Sequence, residues 1–90
     1  MRCEWVPTEA RINWQEHKVT FAEASECFLD PRGLFLDEPS HADRQILIGV
    51  SRRQKLILTV YIERDVATVR IISARRASSH ERRRYEEENE

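Results

Sequence analysis

Apolar positions recur with helical spacing in the first third of the chain. The spacing predicts a helix over about 9–17 and a second helix over about 21–29. The second helix should begin at the capping-box pattern of Thr20 and Glu23, in which each side chain bonds to the backbone of the other. Ala10, Asn13, Trp14 and His17 should share one face of the first helix, and Phe21, Ala24 and Phe28 of the second helix should face the core. Two adjacent helices are therefore predicted near the N-terminus.

From residue 34 onward the pattern changes to that of strands. Residues 56–62 are apolar on both faces, which is typical of a central strand. The predicted strands are 34–36, 45–51, 56–62 and 67–75, and a short extended segment at residues 3–6 precedes the first helix. Ser78 and Glu81 repeat the capping-box pattern and predict a last helix over about 79–88.

These elements predict an α+β fold in one domain that spans residues 1–90. The expected architecture is a small antiparallel sheet of about four strands, with the two N-terminal helices on one face and a further C-terminal helix. The second face of the sheet is expected to be free for a ligand. A chain of 90 residues builds only a thin core, so a partner or self-association is expected to add stability.

The composition predicts no membrane-spanning segment and indicates a reducing compartment. No apolar run approaches the ~20 residues needed to span a bilayer, and the N-terminus has no signal-peptide pattern, so a cytoplasmic location is expected. Cys3 and Cys27 form neither a CxxC pair nor a metal-ligand spacing, and free thiols are the simplest interpretation. No metal and no cofactor are predicted.

The net charge of −1 conceals a strong local asymmetry. Residues 64–85 contain seven arginines against Asp65 and Glu81, whereas residues 86–90 form an acidic tail with four glutamates. Two interpretations stay open: the tail pairs with arginines of its own helix, or it competes with a nucleic acid for them. The run Arg82–Arg84 is a poor catalytic candidate, because successive helical positions point about 100° apart and do not converge on one phosphate.

The segment Arg70–Ala77 (RIISARRA) is the most specific pattern in the chain, and through it the chain resembles the BrnT toxins of bacterial type II toxin–antitoxin systems. The other residues that carry the resemblance are Trp5, Pro7, Asn13, His17, Val19, Phe21, Glu23, Ala24, Phe28, Asp30, Pro31, Arg44, Ile48, Gly49, Glu63, Arg64, Glu81, Arg82, Tyr85 and Glu86. The resemblance covers nearly the whole length. It implies a RelE-like fold and a ribonuclease activity that inhibits translation.

The same resemblance implies partners. These are an RNA substrate and a BrnA-like antitoxin protein with a ribbon-helix-helix DNA-binding domain, which neutralises the toxin. Promoter DNA is contacted only through the antitoxin in this picture, since the complex represses its own promoter. Assembly as a homodimer, or as a heterotetramer with the antitoxin, is compatible with it.

One position departs from the family pattern. Glu16-His17-Lys18 stands where the family usually has Lys-His-Gly, so a cation that could touch RNA is missing at position 16 and Lys18 supplies one on a different face. The departure motivates an alternative function, a weakly active or inactive toxin homologue that acts mainly as an antitoxin-binding co-repressor. The near-neutral net charge argues against a third function, nucleic-acid binding without catalysis.

RNA cleavage without a metal requires a base for the ribose 2′-hydroxyl, a cation for the phosphorane charge and an acid for the leaving oxygen. Arginine suits the second role because its planar fork binds phosphate and does not deprotonate. Arg44, Arg70 and Arg75 are the candidates. A cross-strand ion pair with Glu63 is the competing interpretation of Arg70.

The candidates for proton transfer are His17 and Glu63, and each has a competing structural role. Histidine titrates near neutral pH, but His17 lies at a helix end, where it can cap carbonyls or pack on Trp14. Glu63 lies among arginines, which favour a structural ion pair. His41, in a polar loop, could reach a substrate or simply be solvated. The predicted RNA-binding residues are Arg64, Arg76 and Tyr61, although a tyrosine in a central strand also suits the core.

Overall fold

A computed structural model describes residues 1–89 of the chain. Its elements are β1 (Arg2–Glu4), α1 (Pro7–His17), α2 (Phe21–Glu26), a 3-10 turn (Cys27–Leu29), β2 (Leu34–Asp37), β3 (Gln45–Val50), β4 (Leu56–Asp65), β5 (Thr68–Arg76) and α3 (Ser79–Glu88). The α+β class is confirmed, although the predicted second helix divides into α2 and the 3-10 turn. None of the helices in this described part is long and apolar enough to cross a membrane.

The strands form a single five-stranded sheet in the order β1-β5-β4-β3-β2. The predicted number of about four strands is wrong, because the N-terminal segment joins the sheet. β1 pairs in parallel with the start of β5, where Arg2 lies opposite Thr68 and Glu4 opposite Arg70. The other neighbouring strands are antiparallel. Three residues are too few to show the alternation of a strand, so the sequence pattern indicates only an extended segment there.

The main core lies on the face of the sheet that meets α2, which is called the helix side below. Phe21 and Ala24 of α2 belong to one buried cluster with Leu47, Ile57 and Ile71 of the three central strands. Burial of this apolar surface is the principal force that fixes the positions of the strands.

α1 is fixed to the sheet by a polar residue. Asn13 is buried, and its side-chain amide bonds to both backbone groups of Ala74 and to the Val19 carbonyl, each at 2.9 Å. The amide thereby supplies hydrogen-bond partners to the backbone of β5 beyond the last residue that β1 pairs with. Trp14, which the spacing places on the same face of the helix as Asn13, is 46% exposed, whereas the amide of Asn13 faces the strand.

α3 lies on the opposite face, called the α3 side, which the sequence predicts to be free for a ligand. The helix partly covers this face, because Tyr85 packs on its apolar residues and donates its hydroxyl to Asp30 Oδ2 at 2.7 Å. The predicted capping box of Ser78 and Glu81 is confirmed. One of the two open interpretations of the acidic tail is its pairing with arginines of its own helix, and this pairing is not seen within 4.0 Å among residues 1–89. Glu90, the last residue of that tail, lies outside the described residues.

Candidate active site

A cleft of about 430 Å³ opens on the α3 side, where the end of α1, the loop between β2 and β3 and the start of α3 approach one another. It is lined by His17, Glu38, Ser40, His41, Arg44, Ile46, Leu58, Val60, Ser73, Arg75 and Glu81. Three of the predicted catalytic residues, His17, Arg44 and Arg75, therefore lie in one place. They come from parts of the chain that are distant in sequence, so the topology of the sheet brings them together.

The loop between β2 and β3 holds a histidine–carboxylate pair in this cleft. Nδ1 of His41 lies 3.2 Å from Oε2 of Glu38, and the same oxygen accepts the backbone N–H of Ser40 at 3.1 Å. The Ser40 N–H, and to a smaller degree His41, lower the pKa of Glu38. Because a carboxylate only accepts hydrogen bonds, Nδ1 carries the hydrogen in a neutral His41 and Nε2 is left as a proton acceptor.

Arg44 supplies a cation next to this pair. Its backbone N–H donates to the His41 carbonyl at 3.1 Å, and its carbonyl accepts the Glu38 N–H at 3.3 Å, so the loop is closed by its own backbone. In the described part of the chain, the guanidinium forms no ion pair within 4.0 Å. Arg44 therefore offers a positive charge to an anionic ligand such as phosphate.

Arg75 is already engaged by a carboxylate. Its Nη1 and Nη2 donate to Oε1 and Oε2 of Glu81 at 2.9 and 2.8 Å, and Oε1 also accepts the Ser78 N–H at 2.8 Å. The Arg75 guanidinium, together with the Ser78 N–H, lowers the pKa of Glu81 to about 2. A guanidinium that is neutralised in this way has less capacity for phosphate than that of Arg44, and it ties the start of α3 to β5.

His17 reaches the cleft from the last turn of α1. Its Nε2 lies 3.7 Å from Oε2 of Glu16, which is longer than a hydrogen bond, and its side chain is 36% exposed. The ammonium of Lys18 lies 5.4 Å from the centroid of the Trp14 ring. Lys18 is therefore directed to Trp14 and is not among the lining residues of the cleft, so it does not supply there the cation that the resemblance leads us to expect at position 16.

The other predicted arginines lie outside the cleft. Arg70 lies 3.7 Å from Glu9 of α1, so within residues 1–89 its ion-pair partner is that carboxylate and not Glu63, the partner in the competing interpretation. Arg64 and Arg76 are exposed and do not line the cleft. The most specific segment of the sequence thus contributes Ser73 and Arg75 to the site, while its first arginine lies outside the cleft, beside Glu9 of α1 at a distance longer than a hydrogen bond.

Glu63 and Tyr61 lie on the helix side and line a different cavity. The alternation of β4 explains this, because Leu58 and Val60 point to the cleft whereas Tyr61 belongs to the main core and Glu63 follows it on the same face. Tyr61 is only 4% exposed, as the core interpretation of a central-strand tyrosine requires. The predicted set of site residues is therefore divided between the two faces.

Four polar residues of the cleft were not predicted as site residues, Glu38, Ser40, Ser73 and Glu81, and for His41 a solvated loop position was the competing interpretation. The sequence signal for the Glu38–His41 pair is a carboxylate three residues before a histidine in a polar loop between strands. This signal is weak, because the same spacing occurs often in solvated loops. Within residues 1–89, no group of three or more His, Cys, Asp or Glu side chains is positioned to hold a metal ion.

With its small sheet and its cleft of histidine and arginine side chains described, the chain can be compared with known proteins. A family model described as the ribonuclease toxin BrnT of type II toxin–antitoxin systems matches residues 5–81. The crystal structure of the Brucella abortus ribonuclease toxin BrnT, at 1.1 Å resolution, matches with a TM-score of 0.71 and 26% sequence identity, covering 88% of this chain and 99% of that one. A search of curated proteins finds no match.

The fold and the family model together place the chain among the ribonuclease toxins of type II toxin–antitoxin systems. Within that class, the chain belongs to the BrnT family. The resemblance drawn from the sequence is thereby confirmed, and membership in a type II system implies an antitoxin as partner.

Proposed function

We propose that this chain is an active endoribonuclease that cleaves RNA without a metal ion in the cleft of His17, His41 and Arg44. The observation that carries the proposal is the Glu38–His41 pair, which lines the same cleft as Arg44, an arginine without an ion pair within residues 1–89. A proton acceptor and a free cation in one cleft provide two of the three functions that cleavage by an internal ribose hydroxyl requires. Membership of the family supplies independent support.

In the proposed reaction, Nε2 of His41 takes the proton of the ribose 2′-hydroxyl, and the 2′-oxygen attacks the adjacent phosphorus. Arg44 binds the phosphate oxygens and stabilises the charge of the phosphorane. The bond from phosphorus to the 5′-oxygen then breaks, and a protonated His17 donates its proton to that oxygen. The products are a 2′,3′-cyclic phosphate and a 5′-hydroxyl. Glu63 and Arg70 lie outside the cleft and have no part in this scheme.

Purified protein incubated with RNA in excess EDTA tests the proposal. Cleavage should persist in EDTA, and both Arg44→Ala and His41→Ala should lower its rate by about 100-fold or more. Arg53→Ala removes an exposed arginine from the loop between β3 and β4 and should leave the rate unchanged, which makes it a matched control. Loss of cleavage in EDTA, or undiminished cleavage by Arg44→Ala, contradicts the proposal.

In the cell, we expect RNA cleavage to inhibit translation and a BrnA-like antitoxin with a ribbon-helix-helix domain to neutralise the toxin. Promoter DNA is then contacted through the antitoxin. Inducible expression with and without the adjacent small open reading frame, with growth and RNA integrity as readouts, tests this expectation. The RelE-like relationship and the assembly with the antitoxin stay predictions.

A second candidate function is favoured by the carboxylates around the cleft. Glu81 neutralises Arg75, and Glu16 lies 3.7 Å from His17. Because RNA binding depends on unpaired positive charge, this balance favours a weakly active or inactive homologue that acts mainly as a co-repressor with the antitoxin. Promoter repression without growth arrest on expression of the chain alone identifies this second function.

A further inference from the structure

A second cavity, of about 460 Å³, lies on the helix side at the end of the sheet where β2 and the β4–β5 turn meet. Part of its wall is apolar: the rings of Phe28 and Tyr61 meet edge to face with centroids 5.0 Å apart, and Phe35 of β2 is 57% exposed beside them. Val66 in the turn is fully exposed. Large apolar side chains exposed at the mouth of a cavity are typical of a surface that binds another protein.

The rim of this cavity is acidic, and the name acidic cavity is used for it below. Asp37, Glu63 and Asp65 line it and are exposed, and they outnumber the terminal ammonium of Met1, which also lines it; the described lining residues include no Lys, Arg or His. Among residues 1–89, none of the three carboxylates has a side-chain cation within 4.0 Å. Burial, and to a lesser degree Glu63, raises the pKa of Tyr61 to about 12, so the wall presents a neutral phenol. The cavity therefore attracts cations and repels a nucleic-acid backbone.

The acidic cavity and the cleft meet at the end of β2. Asp37 lines the cavity, and the next residue, Glu38, lines the cleft on the other face. β2 is an edge strand of the sheet, and an edge strand offers backbone groups to a further extended chain. A chain seated in the cavity can thus continue along this edge toward the cleft.

We infer that the acidic cavity binds a basic segment of the antitoxin, in which an aromatic or long aliphatic side chain is flanked by Lys or Arg. The apolar side chain would pack against Phe28 and Phe35, and the flanking cations would pair with Asp37 and Glu63. The inference rests on the proposed function only for the identity of the partner. It separates the surface that holds the antitoxin from the cleft that acts on RNA.

The test measures the affinity of the purified full chain for the antitoxin from the adjacent open reading frame by isothermal titration calorimetry. The double variant Asp37→Lys/Glu63→Lys should weaken binding at least about tenfold, because like charges then face each other. Phe35→Ser should also weaken it, without a change of charge. Glu86→Lys/Glu87→Lys makes the same charge change on the exposed surface of α3 and should alter the affinity less than about twofold.

Binding of the antitoxin does not require RNA cleavage, so the measurement is informative even if the chain proves inactive as a ribonuclease. Urea unfolding shows whether each variant is folded. Unchanged affinity in both cavity variants, or an equal loss in the α3 control, overturns the inference. Self-association that Phe35→Ser abolishes in sedimentation experiments overturns it as well, because a second copy of the chain is then the occupant.

Discussion

The helices on the two faces of the sheet are held in place by different kinds of contact. The helix side has ten buried residues in one apolar cluster, whereas the α3 side has three, Ile48, Leu56 and Leu58. α3 has no buried residue in its described length. It is held to the rest of the protein by the contacts of Glu81 with Arg75 and of Tyr85 with Asp30. The candidate active site lies on this second, less apolar face.

This difference indicates a division between stability and function. Apolar burial on the helix side fixes the strands, so the residues on the α3 side are positioned without having to supply much of the stability themselves. Charged side chains such as Arg44 can therefore stay accessible to a ligand. Local opening is expected on the α3 side first, since few buried apolar contacts hold it.

Truncation of matched isoleucines gives the largest expected difference between the faces. Ile57 is fully buried on the helix side, and Ile46 is half-buried on the α3 side. Ile57→Ala should lower the free energy of unfolding by about 2–5 kcal/mol, and Ile46→Ala should cost less because its surroundings are partly solvated. Urea unfolding measures both variants. Equal losses would show that the two faces contribute alike.

Asn13 tests whether the helix side also depends on a polar contact. Removal of its amide leaves both backbone groups of Ala74 and the carbonyl of Val19 without this partner. Asn13→Ala should lower the free energy of unfolding by about 2–3 kcal/mol, because a buried polar group without a partner costs about 1–3 kcal/mol. Gln15→Ala, at an exposed position of the same helix, should change it by less than about 0.5 kcal/mol. A small loss at Asn13, measured by the same unfolding experiment, would mean that water replaces the amide at the edge of β5.

The parts of the fold with local signals could be predicted from the sequence. Thr20 caps α2, Ser78 begins the capping box of α3, and the apolar run at residues 56–62 belongs to the middle strand of the sheet. The role of Asn13 could not be predicted, because it bonds to Ala74, 61 residues further along the chain. The pairing of β1 with β5 escaped prediction for the same reason.

The candidate site could be predicted only in part. Residue chemistry identified His17, Arg44 and Arg75, which do meet in the cleft. It also selected Glu63, which the alternation of β4 places on the other face, with Tyr61. On β5 the register shift opposite Val60 and Tyr61 makes Ile72 an extra residue, so Ser73 and Arg75 line the cleft although Ile71 lies in the main core, and no local pattern in the sequence indicates this shift. Which side chains share a face near this point is therefore a property of the pairing between strands.

The smallest expected effect on stability comes from the ion pair of Arg75 and Glu81, which tests how α3 is held on the α3 side. Arg75 lowers the pKa of Glu81 from 4.5 to about 2, so the pair stabilises the fold above pH 4.5, and this contribution is lost as the pH falls from about 4.5 to about 2. The Arg75 side chain is 42% exposed, and solvent screening therefore limits the contribution to about 1 kcal/mol. Glu81→Gln should be less stable than the wild type by this amount at neutral pH and should lose less stability on acidification.

Urea unfolding across this pH range, together with hydrogen exchange of the α3 amides, measures the effect. Glu86→Gln removes an exposed carboxylate from the same helix and should follow the wild-type pH dependence, which makes it the control. The α3 amides should exchange faster in Glu81→Gln, whereas those of α2 on the helix side should not change, because the lost contact joins only α3 to β5. If both helices exchange faster to the same degree, the two faces open as one unit and the division between stability and function fails.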